Sequence, residues 1–458
     1  MDRERRHKRV VRQRILAIIL TLLVLSGIIF GVAVGIKYIM SLGLFERTKQ
    51  AETEAVSEEA TEETSEADDS WIAVEKEEIV DDYADVDTSV LSGDAVPAAG
   101  AGVNSDEEIE SIISNLDTEE KVAQLFIVTP EEITGVAIVT QAGEKTKDAL
   151  TLYPVGGLIY FSQNFEDPEQ TREMLANTKQ YIMDACGIEH FLDTDEEGGR
   201  VARLAENEAF GIQNTGSAAD IGKLPDSKAT DAAYNAGATI GKYMSELGLN
   251  LDFAPVADIV TEQVSGNVIG DRSFGADPET VSRLSWQFAS GLQENGVTPC
   301  FKHFPGHGSV IGDTHKEPAS LDKTKNELYA SDLIPFQNAV TNDAPMIMVS
   351  HLSCYGVTDD EIPASMSPVI LTDMLRGEMG YEGIIITDSF QMGAVTSVYP
   401  DSGKAAVAAI KAGADIILMP ADFNEAYHAV LSAASSGEID MQKIDDSLRR
   451  ILKVKLGR

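Results

Sequence analysis

From residue 105 onward, short apolar runs alternate with longer stretches whose apolar positions recur every three or four residues. The short runs read as strands: 125–129 (LFIVT), 157–161 (GLIYF), 190–194 (HFLDT), 249–258 (LNLDFAPVAD), 298–303 (TPCFKH), 345–351 (PMIMVSH), 383–389 (GIIITDS) and 415–420 (DIILMP). The stretches between them carry helix punctuation. Ser105…Glu108 and Asp117…Glu120 have capping-box spacing, and Asp167-Pro168, Asp277-Pro278 and Ser367-Pro368 place a cap before proline in the first turn. Gly187, Gly248 and Gly296 stand where helices should stop. Eight apolar strands, each followed by a helix, predict an α/β fold, a (β/α)8 barrel of the TIM type. A doubly wound open sheet is the alternative, but no G-x-G-x-x-G follows the first strand.

The pattern before residue 105 is different. Ile15 to Ile36 forms 22 uncharged residues, enough for about 33 Å of helix, roughly one hydrocarbon core. Arg3, Arg5, Arg6, Lys8, Arg9, Arg12 and Arg14 precede it, which predicts a cytoplasmic N-terminus and an extracytoplasmic remainder. A cleaved signal peptide would have a shorter apolar region and a small-x-small site, and no good site follows. Residues 49–105 hold seventeen Asp/Glu against two Lys, a net of −15 within a whole-chain charge of −39. With few branched apolar residues, this segment cannot offset its ordering entropy and reads as a disordered spacer. The expected organisation is a basic cytoplasmic flank (1–14), a single-pass transmembrane anchor (15–40), an acidic linker (41–104) and a barrel (105–458). Such a polyanion repels nucleic acid, so no nucleic-acid partner is expected. Cys186, Cys300 and Cys354 have no pairing pattern and read as small buried hydrophobes.

Titratable residues gather at strand ends: TDEEGGRVAR after the third strand, KHFPGHG after the fifth, SH after the sixth and TDS after the seventh. In a barrel these ends share one rim, where active sites form. Four of the seven histidines, His303, His307, His315 and His351, fall there. His303 and His307 have H-x-x-x-H spacing, but Phe304-Pro305-Gly306 breaks the helix that zinc binding would need, so neither a metal nor a cofactor is expected. His307, between two glycines, reads as a turn-shaping residue; His190 and His428 read as structural. Asp313 and His315, two residues apart, can hydrogen-bond in a loop and fix the imidazole tautomer. Asp388 ends an apolar run where packing gives no reason for a carboxylate. A carboxylate facing a His–Asp pair suits nucleophilic displacement with proton transfer.

The stretches LDTEEKVAQLF, TDEEGGRVAR, DFAPVAD, GDRSFG, KHFPGHGSVIGDTHKE and GIIITDSFQMGA resemble, in order, the landmarks of family 3 glycoside hydrolases. The nearest likeness is to the β-N-acetylhexosaminidase branch, the NagZ-type β-N-acetylglucosaminidases, from residue 105 to the C-terminus. The resemblance implies Asp388 as nucleophile, His315 as general acid/base and Asp313 as its orienting partner. It implies sugar-binding positions at Asp195, Arg203, Arg272, Lys302 and His303. Glu197, Gly198 and Gly199 read as loop-shaping, and Arg200 stays outside the site. Ser389 stands where the family often has a second acidic residue. The implied activity is retaining removal of terminal GlcNAc from β-linked oligosaccharides, with cell-wall GlcNAc–MurNAc fragments or muropeptides as partners for an anchored enzyme. Phosphorolysis, chitooligosaccharide hydrolysis and other family 3 β-glycosidase action are the enzymatic alternatives. A membrane-tethered glycan-binding protein is the non-enzymatic one. The glycine-bearing loop around His315 is expected to close over bound sugar.

Overall fold

Eight parallel strands pair in sequence order in the computed structural model, which describes residues 105–260, 268–310 and 312–457. They are β1 (Phe126–Val128), β2 (Gly157–Ile159), β3 (Phe191–Thr194), β4 (Leu251–Asp252), β5 (Thr298–Phe304), β6 (Met346–Val349), β7 (Ile384–Thr387) and β8 (Ile417–Leu418). β8 returns to β1, with Phe126 opposite Ile417. The remaining seam is bridged at Ile386 and Ile416, where the Thr387 N–H donates to the Ile416 carbonyl at 3.1 Å. The result is a nearly closed barrel of the expected TIM type. The predicted flank, anchor and linker lie outside the described residues. Among the described residues no helix is long and apolar enough to cross a membrane.

All eight strand expectations correspond to observed strands; all but β5, which runs one residue past its expected end, are shorter than the apolar runs. The excess goes into rim loops. After β3 the chain forms an unforeseen antiparallel hairpin, Glu196–Gly198 with Val201–Ala202. Its turn needs glycine, because Gly198 and Gly199 have φ of 83° and 57°.

Most caps sit where the sequence put them. Asp117 closes a full capping box with Glu120. Asp167 accepts from the Glu169 and Gln170 N–H groups, and Asp277 from that of Thr280. Gly187 and Gly248 end their helices in the left-handed conformation. Ser367 is a correction. The helix after it (Val369–Glu378) has wide, π-type turns, and Ser367 supplies its carbonyl to Ile370 and Leu371 while its hydroxyl has no partner. The first described helix begins at Ser105 (Ser105–Asn115), where the sequence expects a helix start.

Helices Asp226–Leu247 and Pro278–Glu294 flank β4 and β5, and β5 brings in Lys302 and His303. They cross closely because their contact is made of small residues. A Cβ on Gly237 would lie 2.0 Å from the Phe288 carbonyl oxygen, and one on Gly291 would lie 2.3 Å from that of Tyr234. Cys300 and Cys354 are buried and free, as expected of small hydrophobes; Cys186 is free and half-buried.

Candidate active site

At the C-terminal rim of the barrel a cavity of about 590 Å³ opens. Ile159, Met348 and Leu418 supply apolar surface from β2, β6 and β8, and Phe253 supplies it from just after β4. All eight residues singled out from the sequence, Asp195, Arg203, Arg272, Lys302, His303, Asp313, His315 and Asp388, line it. A larger cavity, about 840 Å³, lies at the opposite rim among Phe191, Asn250, Thr298 and Arg450, and holds none of them.

A charged network forms one wall. The Lys302 ammonium lies 2.7 Å from both Asp195 Oδ1 and Glu197 Oε1. Arg272 grips Glu197 with two bonds of 2.7 Å, Nε to Oε2 and Nη2 to Oε1. Such paired donors fix a carboxylate's plane as well as its position. Arg203 Nη2 is 3.9 Å from Asp195 Oδ2, with its guanidinium 5.9 Å from the Phe161 ring. Burial works against the Glu197 carboxylate, yet Arg272 and Lys302 hold its pKa well below the ordinary carboxylate range. Burial likewise opposes the Lys302 charge, but Asp195 and Glu197 raise its pKa above the usual lysine value. These groups stay ionised in a poorly hydrated wall, where hydrogen bonds to a ligand's hydroxyls are strong.

Glu197 was read from sequence as a loop-shaping residue, and this is a correction. It is the hub of the wall, joining Arg272 to Lys302. Asp258 was not singled out at all. It is fully buried, and its Oδ2 lies 2.6 Å from His303 Nδ1 while its Oδ1 accepts the His307 N–H at 2.6 Å. A carboxylate accepts only, so His303 Nδ1 carries the proton. Burial disfavours the Asp258 charge, and His303 and His307 overcome it, lowering its pKa. The available signal was its place at the end of the fourth apolar run. Arg200 also lines the cavity, held by Asp271 Oδ1 at 2.7 Å and by the Val268 carbonyl at 2.7 Å.

The chemistry faces this wall. Asp388 follows β7 and is half-buried; its backbone N–H donates to the Val349 carbonyl at 2.9 Å, and its Oδ1 accepts the Ser389 N–H at 2.7 Å. Burial opposes its ionisation, but His303, His351, the Ser389 N–H and His315 prevail and lower its pKa. His351 is buried, which lowers its own pKa; its Nε2 donates to the Ser389 carbonyl at 2.8 Å. The ring therefore pins the residue beside Asp388. Ser389, lacking the acidic side chain common at this position, contributes through its backbone.

On the loop after β5, His315 Nδ1 is 2.9 Å from Asp313 Oδ1. The carboxylate requires the proton on Nδ1, which leaves Nε2 for exchange with a bound molecule. Lys316 takes the other Asp313 oxygen at 2.9 Å. The Lys316 hydrogen bond comes first, and the His315 contacts add to it, lowering the Asp313 pKa to about 2. Asp313 is thus ionised at every ordinary working pH. His307 Nε2 meets Thr314 Oγ1 at 3.0 Å, in keeping with the turn-shaping role expected of it. His190 is buried and His428 is exposed against Tyr427, both away from the cavity. No group of His, Cys, Asp and Glu able to hold a metal ion occurs among the described residues.

Replacing Lys302 by Met would leave Asp195 and Glu197 short of a buried partner. The expected outcome is a loss on the order of 3 kcal/mol in thermal stability and at least a ~100-fold fall in kcat/KM for an aryl GlcNAc. Calorimetry and steady-state kinetics measure both, and a wild-type kcat/KM would remove Lys302 from the binding wall.

Residues 117–454 match the family described as "Glycosyl hydrolase family 3 N terminal domain". Over 371 residues the chain is 33% identical to β-hexosaminidase LpqI of Mycobacterium tuberculosis, covering 79% of this chain and 88% of that one. It is 30% identical over 342 residues to β-hexosaminidase A of Pseudoalteromonas piscicida; this covers 70% of the chain but only 56% of that longer protein. Among solved structures, a family 3 β-N-acetylglucosaminidase from Paenibacillus sp. str. FPU-7 superposes with a TM-score of 0.69 at 32% identity, over 75% of this chain and 63% of that one. The M. tuberculosis LpqI structure gives 0.65 at 31% identity, over 76% and 96%.

Proposed function

This chain belongs to glycosyl hydrolase family 3, and on that premise we propose that it is a retaining exo-β-N-acetylglucosaminidase. One observation carries the reading. A single rim cavity joins an ionised carboxylate just after β7, a His–Asp pair on the loop after β5, and a wall of buried charges suited to sugar hydroxyls. A glycan-binding protein would need only the wall.

In the proposed reaction, Asp388 attacks the anomeric carbon while protonated His315 gives its Nε2 proton to the departing glycosidic oxygen. The carbon–oxygen bond breaks as the glycosyl–aspartate bond forms. Neutral His315 then takes a proton from water, which displaces Asp388 and restores the original configuration. Asp313, ionised throughout, holds Nδ1–H and offsets the imidazolium charge. Asp195, Lys302 and Glu197, with Arg203, Arg272 and His303, grip the sugar.

Most retaining glycosidases use a second carboxylate where this chain has an imidazole. After donating its proton the imidazole is neutral and does not repel an anion, so phosphate can stand in for water. The test is product analysis on a panel of aryl β-glycosides, with and without phosphate. GlcNAc released in both buffers is the expected result, and GlcNAc 1-phosphate would make the enzyme a phosphorylase. Inactivity on GlcNAc glycosides but turnover of glucosides would move it to another family 3 specificity.

We further place the barrel outside the cytoplasm, tethered by the apolar run Ile15 to Ile36 and the acidic linker, acting on GlcNAc–MurNAc fragments of the cell wall. Resistance of the full chain to carbonate extraction from membranes, with protease access from outside, supports this placement. A soluble full-length chain in the cytoplasm would refute it.

A further inference from the structure

The acid/base loop is not held at the rim by its own strand alone. Two of its backbone carbonyls are captured by the segment that follows the nucleophile. The Gly393 N–H donates to the His315 carbonyl at 2.9 Å, and the Ala394 N–H donates to the Thr314 carbonyl at 3.0 Å. Both donors open the short helix Gly393–Thr396, where N–H groups have no partner within the helix. Thr314 is buried, so its carbonyl would otherwise go unpaired.

This contact is possible only because residue 393 has no side chain. A Cβ there would stand 2.2 Å from the Lys316 carbonyl oxygen, 2.4 Å from its carbon and 3.0 Å from the His315 carbonyl oxygen. The φ of Gly393 is not in the left-handed region, so backbone conformation does not call for glycine here. Space does. Alanine would fit the helix and displace the loop.

We propose that Gly393 is a positioning residue: its bare backbone docks the loop carrying Asp313 and His315 onto the segment leaving Asp388, fixing the acid/base relative to the nucleophile. The inference builds on the reading of His315 and Asp388 as the reacting pair. Because docking and nucleophile share one segment, the donor–acceptor geometry is set through five residues of chain and two hydrogen bonds. The rest of the barrel need not be rigid for it to hold.

The test is Gly393→Ala assayed on two β-GlcNAc aryl glycosides. With a poor leaving group such as 4-methoxyphenol, kcat/KM should fall by at least ~30-fold, as expected when a proton donor is displaced by about 1 Å. With 2,4-dinitrophenol, which departs without a proton, it should fall less than ~3-fold. Equal losses on both substrates, or none on either, would overturn the proposal. His315→Ala serves as the reference. If it shows the leaving-group split and Gly393→Ala does not, the docking idea alone fails; if neither does, the acid/base reading fails. Should Gly393→Ala not fold, hydrogen exchange on the wild-type protein decides. The Gly393 and Ala394 amides should be protected, and free exchange at both would overturn the proposal.

Discussion

Replacing Asp388 by Ala is expected to lower turnover of p-nitrophenyl β-GlcNAc by at least ~10⁴-fold while leaving the fold intact, since no other group can form the glycosyl–enzyme bond. Among the described residues the side chain accepts only the N–H of its neighbour Ser389, and the backbone bond to Val349 survives the change. Thermal stability should therefore stay close to wild type, separating chemistry from folding. The vacated space adds a sharper readout. Azide entering where the carboxylate stood would attack the anomeric carbon directly and give the inverted α-glycosyl azide. Recovery of that product locates the lost nucleophile on the correct face of the sugar. Near-normal hydrolysis by Asp388→Ala would sink the assignment and the mechanism with it.

His315→Ala should be almost as damaging, but selectively. General acid catalysis contributes roughly 10²–10⁴-fold, and only where the departing group needs a proton. Oligosaccharides and alkyl glycosides should suffer that full loss. Dinitrophenyl glycosides should form the covalent intermediate at nearly the wild-type rate and then stall, because water is no longer activated. A burst of dinitrophenol followed by slow turnover is the expected trace. Azide, needing no base, should relieve the stall and give the β-glycosyl azide with retained configuration. The side chain is 66% exposed, so its removal leaves no cavity and should not destabilise the fold. A uniform loss across leaving groups would deny His315 the role of acid/base.

The expected loop closure can be set against the docked geometry. Asp313 and His315 already line the cavity with Asp388, with the loop tied down at Thr314 and His315. Closure over sugar is not required to bring the pair to the rim.

Much of the site was legible because its residue types are out of place locally. Asp388 ends a run of isoleucines, and Asp313 and His315 sit two apart in a loop that cannot be a helix. Glu197 was misread for the opposite reason. Within TDEEGGRVAR it looks like one acid among several beside a glycine turn, and nothing nearby in sequence reveals Arg272, 75 residues on. Lys302 meets Asp195 across 107 residues. Asp258 was hidden in the same way, since its partners His303 and His307 belong to the next strand and loop.

Local sequence alone determined the strand and helix order, the aspartate caps, the glycine stops and the residues that end each strand, because these depend on period, φ and hydrogen bonds within a few residues. Tertiary structure alone decided that Glu197 joins Arg272 to Lys302, that Asp258 orients His303, and that glycine is demanded at 393. Those facts depend on which surfaces meet when the barrel closes, and closing brings together groups whose separation along the chain carries no trace of the contact.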